Sequence, residues 1–160
     1  MANGVPTPLG HYGPDAPVVL EQPLPREALP TPALVLQRSA FERNLTAMQS
    51  LVSGYGLGLR PHGKMHKCPE VARRQLAAGA LGLCVAKPRE AEVMARAGVG
   101  PLLVTSPVLA PQALDRMIAL RVSGADLTLV VDSFTGIEAL AQRAAQAGVV
   151  MPVLVDLDPA

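Results

Sequence analysis

The stretch RPHGKMHK, residues 60 to 67, sets Arg60, Lys64 and Lys67 beside His62 and His66 in a chain whose formal net charge is only +1. Such crowding needs a reason, because like charges repel. Alternation offers one. Arg60, His62, Lys64 and His66 fall on one parity, and Leu57, Leu59, Pro61, Gly63 and Met65 on the other, the pattern of a strand with one basic face and one apolar or small face. Neighbouring cations and partial desolvation both disfavour an ammonium, so Lys64 is expected to offer a neutral amine. A neutral amine attacks a carbonyl, and the commonest aldehyde held this way is pyridoxal phosphate. The competing reading is a solvated basic loop, the ordinary meaning of a charge run. A metal site at His62 and His66 would need helical i, i+4 geometry, which Pro61 and Gly63 oppose, and no carboxylate lies between the two. No metal ligand is assigned.

The elements that must position Lys64 are legible along most of the chain. Residues 1–30 are rich in Pro and Gly without a sustained period and read as an extended arm; residues 31–160 read as the folded domain. Ala33 to Leu36, bracketed by Pro30 and Pro32, is a strand candidate, and Ser39 with Glu42 has the form of a capping box opening a helix through Phe41, Leu45, Met48 and Val52. A cadence follows: an apolar run, an amphipathic helix, then a glycine at Gly54, Gly79, Gly98, Gly124 and Gly148. Five strand candidates lie between these glycines or after the last: Leu57 to Lys64, Leu81 to Ala86, Leu102 to Ser106, Leu127 to Asp132 and Val153 to Asp158. Leu114, Met117 and Ile118 make one helical stripe, and Ile137, Leu140, Ala141 and Ala144 another. Regular βα alternation with strands apolar on both faces predicts a parallel sheet.

Doubly wound sheets and barrels both satisfy that pattern. No glycine-rich phosphate fingerprint follows a strand, so a barrel is favoured. A complete barrel needs about 250 residues, so the expectation is a partial (β/α)8 barrel of about five strands. Polar residues cluster where strands hand over to helices: Lys64, Lys87, Thr105 with Ser106, Asp132 with Ser133, and Asp156 with Asp158. Parallel α/β folds place active sites there. Asp156 and Asp158 could be a carboxylate pair or helix caps, Ser133 and Thr135 look like caps, and His11 is expected to be solvated in the arm.

Composition narrows the classes. The chain is 49% hydrophobic and 2% aromatic with no Trp, so its core must be built from Ala, Leu and Val. The near-zero charge excludes an electrostatic footprint for nucleic acid. Cys68 and Cys84 have no metal-type spacing and read as reduced thiols, with a single disulfide the alternative. No signal peptide and no bilayer-spanning run is evident, so a cytoplasmic protein without membrane contact is expected.

TPALVLQRSAFERNL, LRPHGKMHKCPEVARRQLAAGALGLCVAK, PREAEVMARAGV and LLVTSPV together resemble the N-terminal half of the D-threonine aldolase and D-serine dehydratase family, from about Thr31 to Asp158. That family is related to alanine racemase, with a pyridoxal phosphate barrel and a C-terminal β domain. Inward strand parity places Arg60, His62 and Lys64 together at the barrel mouth, and the resemblance implies that Lys64 carries the cofactor there, with Arg60 and His62 expected beside it, although His62 could equally fill the mouth. Met65 stands where the usual motif has Thr and is similar to the 3-hydroxyaspartate aldolase branch; on the outward parity it is expected to affect packing more than chemistry. The implied activity is cleavage of a D-3-hydroxy amino acid to glycine and an aldehyde, with D-serine dehydratase-like loss of the hydroxyl as the alternative. The divalent metal ligands of the family are expected in the C-terminal domain, outside this chain, and the full-length parent is expected to be a homodimer. The 160 residues alone are expected to be inactive, and a non-catalytic remnant or cofactor-binding module is the reading from another class.

Overall fold

The computed structural model describes residues 24–29 and 31–157. Most of the expected arm, His11 and Asp158 therefore lie outside the described residues. The chain divides into two units, one up to Leu36 and one from Gln37. In the first, Arg26–Ala28 forms a 3-10 turn, and the strand expected over Ala33–Leu36 is absent, since these residues join no ladder.

The second unit contains five helices and four strands among the described residues. Helices α1 (Arg38–Gly54), α2 (Pro69–Ala77), α3 (Pro88–Arg96), α4 (Pro111–Val122) and α5 (Phe134–Gln146) alternate with strands β1 (Leu83–Val85), β2 (Leu102–Val104), β3 (Leu127–Val131) and β4 (Val153–Val155). Their starts follow two rules. Helices α2, α3 and α4 each begin on a proline, whose fixed φ and missing N–H suit the first helical position. Helix α5 lacks one, and Ser133 Oγ accepts from the Gly136 amide instead. Thr135, the other cap candidate, lies inside α5. The capping box expected at Ser39 does not form: α1 begins one residue earlier, and the Glu42 carboxylate is taken by Arg38 Nε at 2.8 Å. Gly79, Gly98, Gly124 and Gly148 do adopt positive φ just past α2, α3, α4 and α5, whereas after α1 that role falls to Gly56 rather than Gly54.

All ladders are parallel, and the strand order is β1-β2-β3-β4. That order settles the choice left open by periodicity. A doubly wound sheet reverses direction after its first half, whereas right-handed crossovers that always step the same way put every helix on one face, as in a barrel. Burial agrees. Leu83 and Val85, Leu102 and Val104, and Leu127, Leu129 and Val131 are buried in one core with Met94, Leu114, Met117, Ile118, Leu140 and Ala144 from the helices. The alternate residues Cys84, Leu103, Thr128 and Val130 are only half-buried. Ile137 and Ala141, placed on the α5 stripe by periodicity, remain exposed.

The expected strand Leu57–Lys64 survives only in part. Leu59 and Pro61 carbonyls accept from the Leu81 and Cys84 amides, and His62 bridges Cys84, but the chain then leaves the sheet in a 3-10 turn, Gly63–Met65. The sheet thus has four full strands and this fifth, incomplete one. Among the described residues no helix is long and apolar enough to cross a membrane.

Candidate active site

The 3-10 turn lifts Lys64 off the carboxyl end of the sheet. Gly63 is buried at the point of departure, where a Cβ would stand 3.0 Å from Leu83 Cδ2 and 3.3 Å from the Cys84 carbonyl. His62 Nδ1 accepts the Lys64 amide at 3.2 Å, and His62 Nε2 lies 3.1 Å from Thr105 Oγ1 at the end of β2. Burial, followed by the Lys64 charge, lowers the His62 pKa below its ordinary value of 6.5, and Glu90 opposes them only weakly. His62 is therefore a neutral imidazole at neutral pH.

The crowding of cations disperses on folding. Arg60 Nη1 reaches the Pro101 carbonyl at 3.4 Å, beside Gly82, where a Cβ would overlap the guanidinium and approach the Pro101 carbonyl to 2.5 Å. Pro101 precedes β2 and Thr105 follows it, so Arg60 engages the amino end of the sheet while His62 engages the carboxyl end. This corrects the expectation that Arg60 shares the barrel mouth with Lys64: two residues of extended chain, about 7 Å, separate one inward position from the next. Lys67 lies 3.5 Å from Glu90 Oε1, in a left-handed conformation (φ 50°) unusual for lysine. Burial alone would raise the Glu90 pKa. The Ala86 amide, 2.9 Å from Oε2, and the Lys67 ammonium outweigh burial and hold the group below the usual carboxylate range.

His66 turns away from His62. Its Nδ1 accepts the Cys68 amide at 3.0 Å, and its buried Nε2 faces the Gln75 side chain. Cys68 and Cys84 are both free thiols, and burial raises the Cys84 pKa against the opposing charge of Arg60. Lys64 is left exposed, and its Nζ makes no hydrogen bond or ion pair among the described residues. Desolvation, which the sequence argument invoked for this amine, is not supplied by the surrounding described residues. Met65, on the outward parity, is 81% exposed.

Of the other strand-end residues, Lys87, Ser106, Asp132 and Asp156 are exposed, and only Thr105 is drawn into the His62 network. One contribution escaped sequence reasoning, that of Glu90, whereas Thr105 was singled out only as one of several strand-end polar residues. Glu90 was recoverable: Pro88 at the first helical position and a glutamate two residues later mark a carboxylate able to reach back to an amide before the helix.

Residues 36–159 match the family described as alanine racemase, N-terminal domain. The chain belongs to this family. Its relatives include the D-threonine aldolase of an Arthrobacter species, 38% identical over 84% of this chain and 35% of that protein. The 3-hydroxy-D-aspartate aldolase of Paracoccus denitrificans strain Pd 1222 is 37% identical over 80% of this chain and 33% of its own length. The D-threo-3-hydroxyaspartate dehydratase of Delftia strain HT23 is 37% identical, with 81% and 34% covered. The crystal structure of D-threonine aldolase from Filomicrobium marinum superposes with a TM-score of 0.80 at 38% identity, covering 83% of this chain and 36% of that one. The chain thus spans about a third of the length of these relatives. These are aldolases and a dehydratase, lyases of an alanine racemase-like family in which pyridoxal phosphate is the implied cofactor.

The residues present fit that cofactor at one point. An exposed primary amine without a competing partner beside a fixed neutral imidazole can accept an aldehyde. For a metal ion the fit fails: among the described residues no group of three or more His, Cys, Asp or Glu could hold one.

Proposed function

We propose that this chain provides the cofactor-bearing wall of a pyridoxal phosphate-dependent lyase that cleaves D-3-hydroxy amino acids to glycine and an aldehyde, in the manner of the D-threonine aldolases. The observation that carries the reading is the Lys64 amine, unpartnered among the described residues, at the carboxyl end of a parallel sheet, with neutral His62 anchored beside it. Bound there, the cofactor supplies an aldehyde carbon for an amine and an electron sink for the bond that breaks. Lys64 would hold it through its side-chain amine. At the same end of the sheet the Lys64 amine would also be placed to move a proton to or from the substrate. His62, uncharged, borders the site without adding a second positive charge next to Lys64. Arg60 serves from below, tying the strand to the Pro101 carbonyl.

The Delftia relative supports a second outcome on the same lysine, loss of the hydroxyl as in a dehydratase. In the natural protein that carries this sequence, borohydride reduction after addition of pyridoxal phosphate is expected to label Lys64, and Lys64→Ala to abolish both the label and turnover of D-threonine. Label on Lys67 or Lys87 would overturn the assignment. Glycine among the products marks the aldolase, a keto acid with ammonia marks the dehydratase, and label without either marks a binding module.

A further inference from the structure

Thr105 Oγ1 lies 3.1 Å from His62 Nε2 and 3.2 Å from the Val85 carbonyl. The Thr105 amide already donates to that carbonyl at 2.9 Å, so the hydroxyl is not needed to complete the end of the sheet. Its consequence falls on His62. A carbonyl only accepts, so the hydroxyl proton points at Val85, and the lone pairs left on Oγ1 require His62 Nε2 to carry a hydrogen. On the other side of the ring the Lys64 amide only donates, so Nδ1 must be bare. Both ends of the imidazole specify the same neutral tautomer.

We propose that Thr105 is a positioning residue of the lysine site: its hydroxyl holds His62 as the Nε2–H tautomer, and His62 Nδ1 in turn fixes the backbone from which Lys64 projects. The inference rests on the reading of Lys64 as the cofactor-bearing amine. The turn needs such a tie. The Gly63 carbonyl accepts from the His66 and Lys67 amides at 3.2 and 2.7 Å and closes the far end of the turn, but at its start the Met65 N–H to His62 carbonyl bond is 3.5 Å, the outer limit for a hydrogen bond, and the Lys64 side chain is exposed. Without the hydroxyl, the half-buried Nε2–H loses its acceptor, and the ring can move its hydrogen to Nδ1, where it faces the Lys64 amide donor to donor.

The test combines nitrogen-15 spectroscopy of labelled histidine with residue-level amide exchange in the natural protein that carries this sequence, the His62 ring signals being those lost in His62→Asn. Unmodified protein is expected to show a bare Nδ1 and a protonated Nε2. Thr105→Val, close in volume, is expected to populate the Nδ1–H form and to speed exchange of the Lys64 amide about two- to tenfold, the loss of one ordinary hydrogen bond. Thr105→Ser keeps the hydroxyl and is expected to restore both. A merely structural role would speed exchange along the whole of β2 and β3 and leave the tautomer alone. An Nδ1–H form in the unmodified protein overturns the proposal without any variant. So does a Thr105→Val protein with unchanged tautomer, or one whose tautomer shifts while Lys64 exchange stays put. If Thr105→Val does not fold, a Thr105→Ser protein that has lost the Nε2–H form overturns it equally. Borohydride labelling run alongside keeps the two readings apart: no label on Lys64 in any protein sinks the cofactor assignment and leaves the Thr105 linkage standing.

Discussion

His62 and His66 stand four residues apart and are both stripped of charge, though by different surroundings. Burial comes first for each, joined at His62 by the Lys64 ammonium. Both folded pKa values lie below the ordinary 6.5, so as pH falls through 6.5 the unfolded chain takes up protons that the folded chain refuses. Stability is therefore expected to drop on acidification below that value and to level off once the folded values are passed. Urea midpoints at about pH 7.5 and about pH 5.5 test this, the latter being expected to be lower. A His62→Asn, His66→Asn protein should show a smaller difference, and equal midpoints for the unmodified protein would refute the argument. Glu90 and Glu92 act in the same direction at lower pH. Both are held below 4.5, Glu92 chiefly by its hydrogen bond from Arg116, so their contribution is lost only as pH falls through their depressed values.

At the scale of elements, the chain uses proline wherever a helix follows a strand without a side-chain cap, and Ser133 where it does not. Ser133→Ala should therefore cost about 1 kcal/mol, the usual value of an N-cap hydroxyl. Thr135→Ala, within the first turn of α5, should change stability by less than about 0.5 kcal/mol, because alanine is the better helix former and no cap is lost. Denaturant midpoints at unchanged slope distinguish them; equal losses would mean that the cap is shared. Between helices, Glu92 on α3 meets Arg116 of α4 and, at 3.1 Å, Arg89 of its own helix. This buried carboxylate orients α3 and α4 over the apolar face of the sheet.

At the scale of the molecule, the described helices of the second unit seal one face of the sheet. Strand β4 pairs only with β3 among the described residues, and Val153, Leu154 and Val155 are 41%, 52% and 63% exposed. An unpaired apolar edge is a template for another chain. Residues 1 to 160 expressed alone are therefore expected to associate with increasing concentration in size-exclusion chromatography, and Leu154→Lys to reduce that association. The isolated chain is also expected to show no turnover of D-threonine or D-3-hydroxyaspartate with added pyridoxal phosphate and manganese. A monodisperse monomer that turns over either substrate would overturn this expectation.

The alternation of apolar runs, amphipathic helices and closing glycines was enough to locate four strands, five helices and the lysine motif from the amino-acid sequence, because each of those signals is local. Pro69, Pro88 and Pro111 mark helix starts, and Gly79, Gly98, Gly124 and Gly148 mark their ends, whatever surrounds them. Periodicity alone did not carry the winding of the sheet, since singly and doubly wound sheets share it; the barrel expectation rested on the missing phosphate fingerprint, and the strand order bears it out. The departure of the chain after His62 was not legible either. Alternation predicts a strand through Lys64, but a strand persists only while a partner offers its groups, and here a ring nitrogen of His62 takes the Lys64 amide instead. The fates of Arg60, Lys67 and Thr105 depended on Pro101, Glu90 and His62, acceptors and donors 41, 23 and 43 residues away. Pairings at such separation are created by the fold, and only the tertiary structure could decide that Lys64 would be the cation left free among the described residues of the motif.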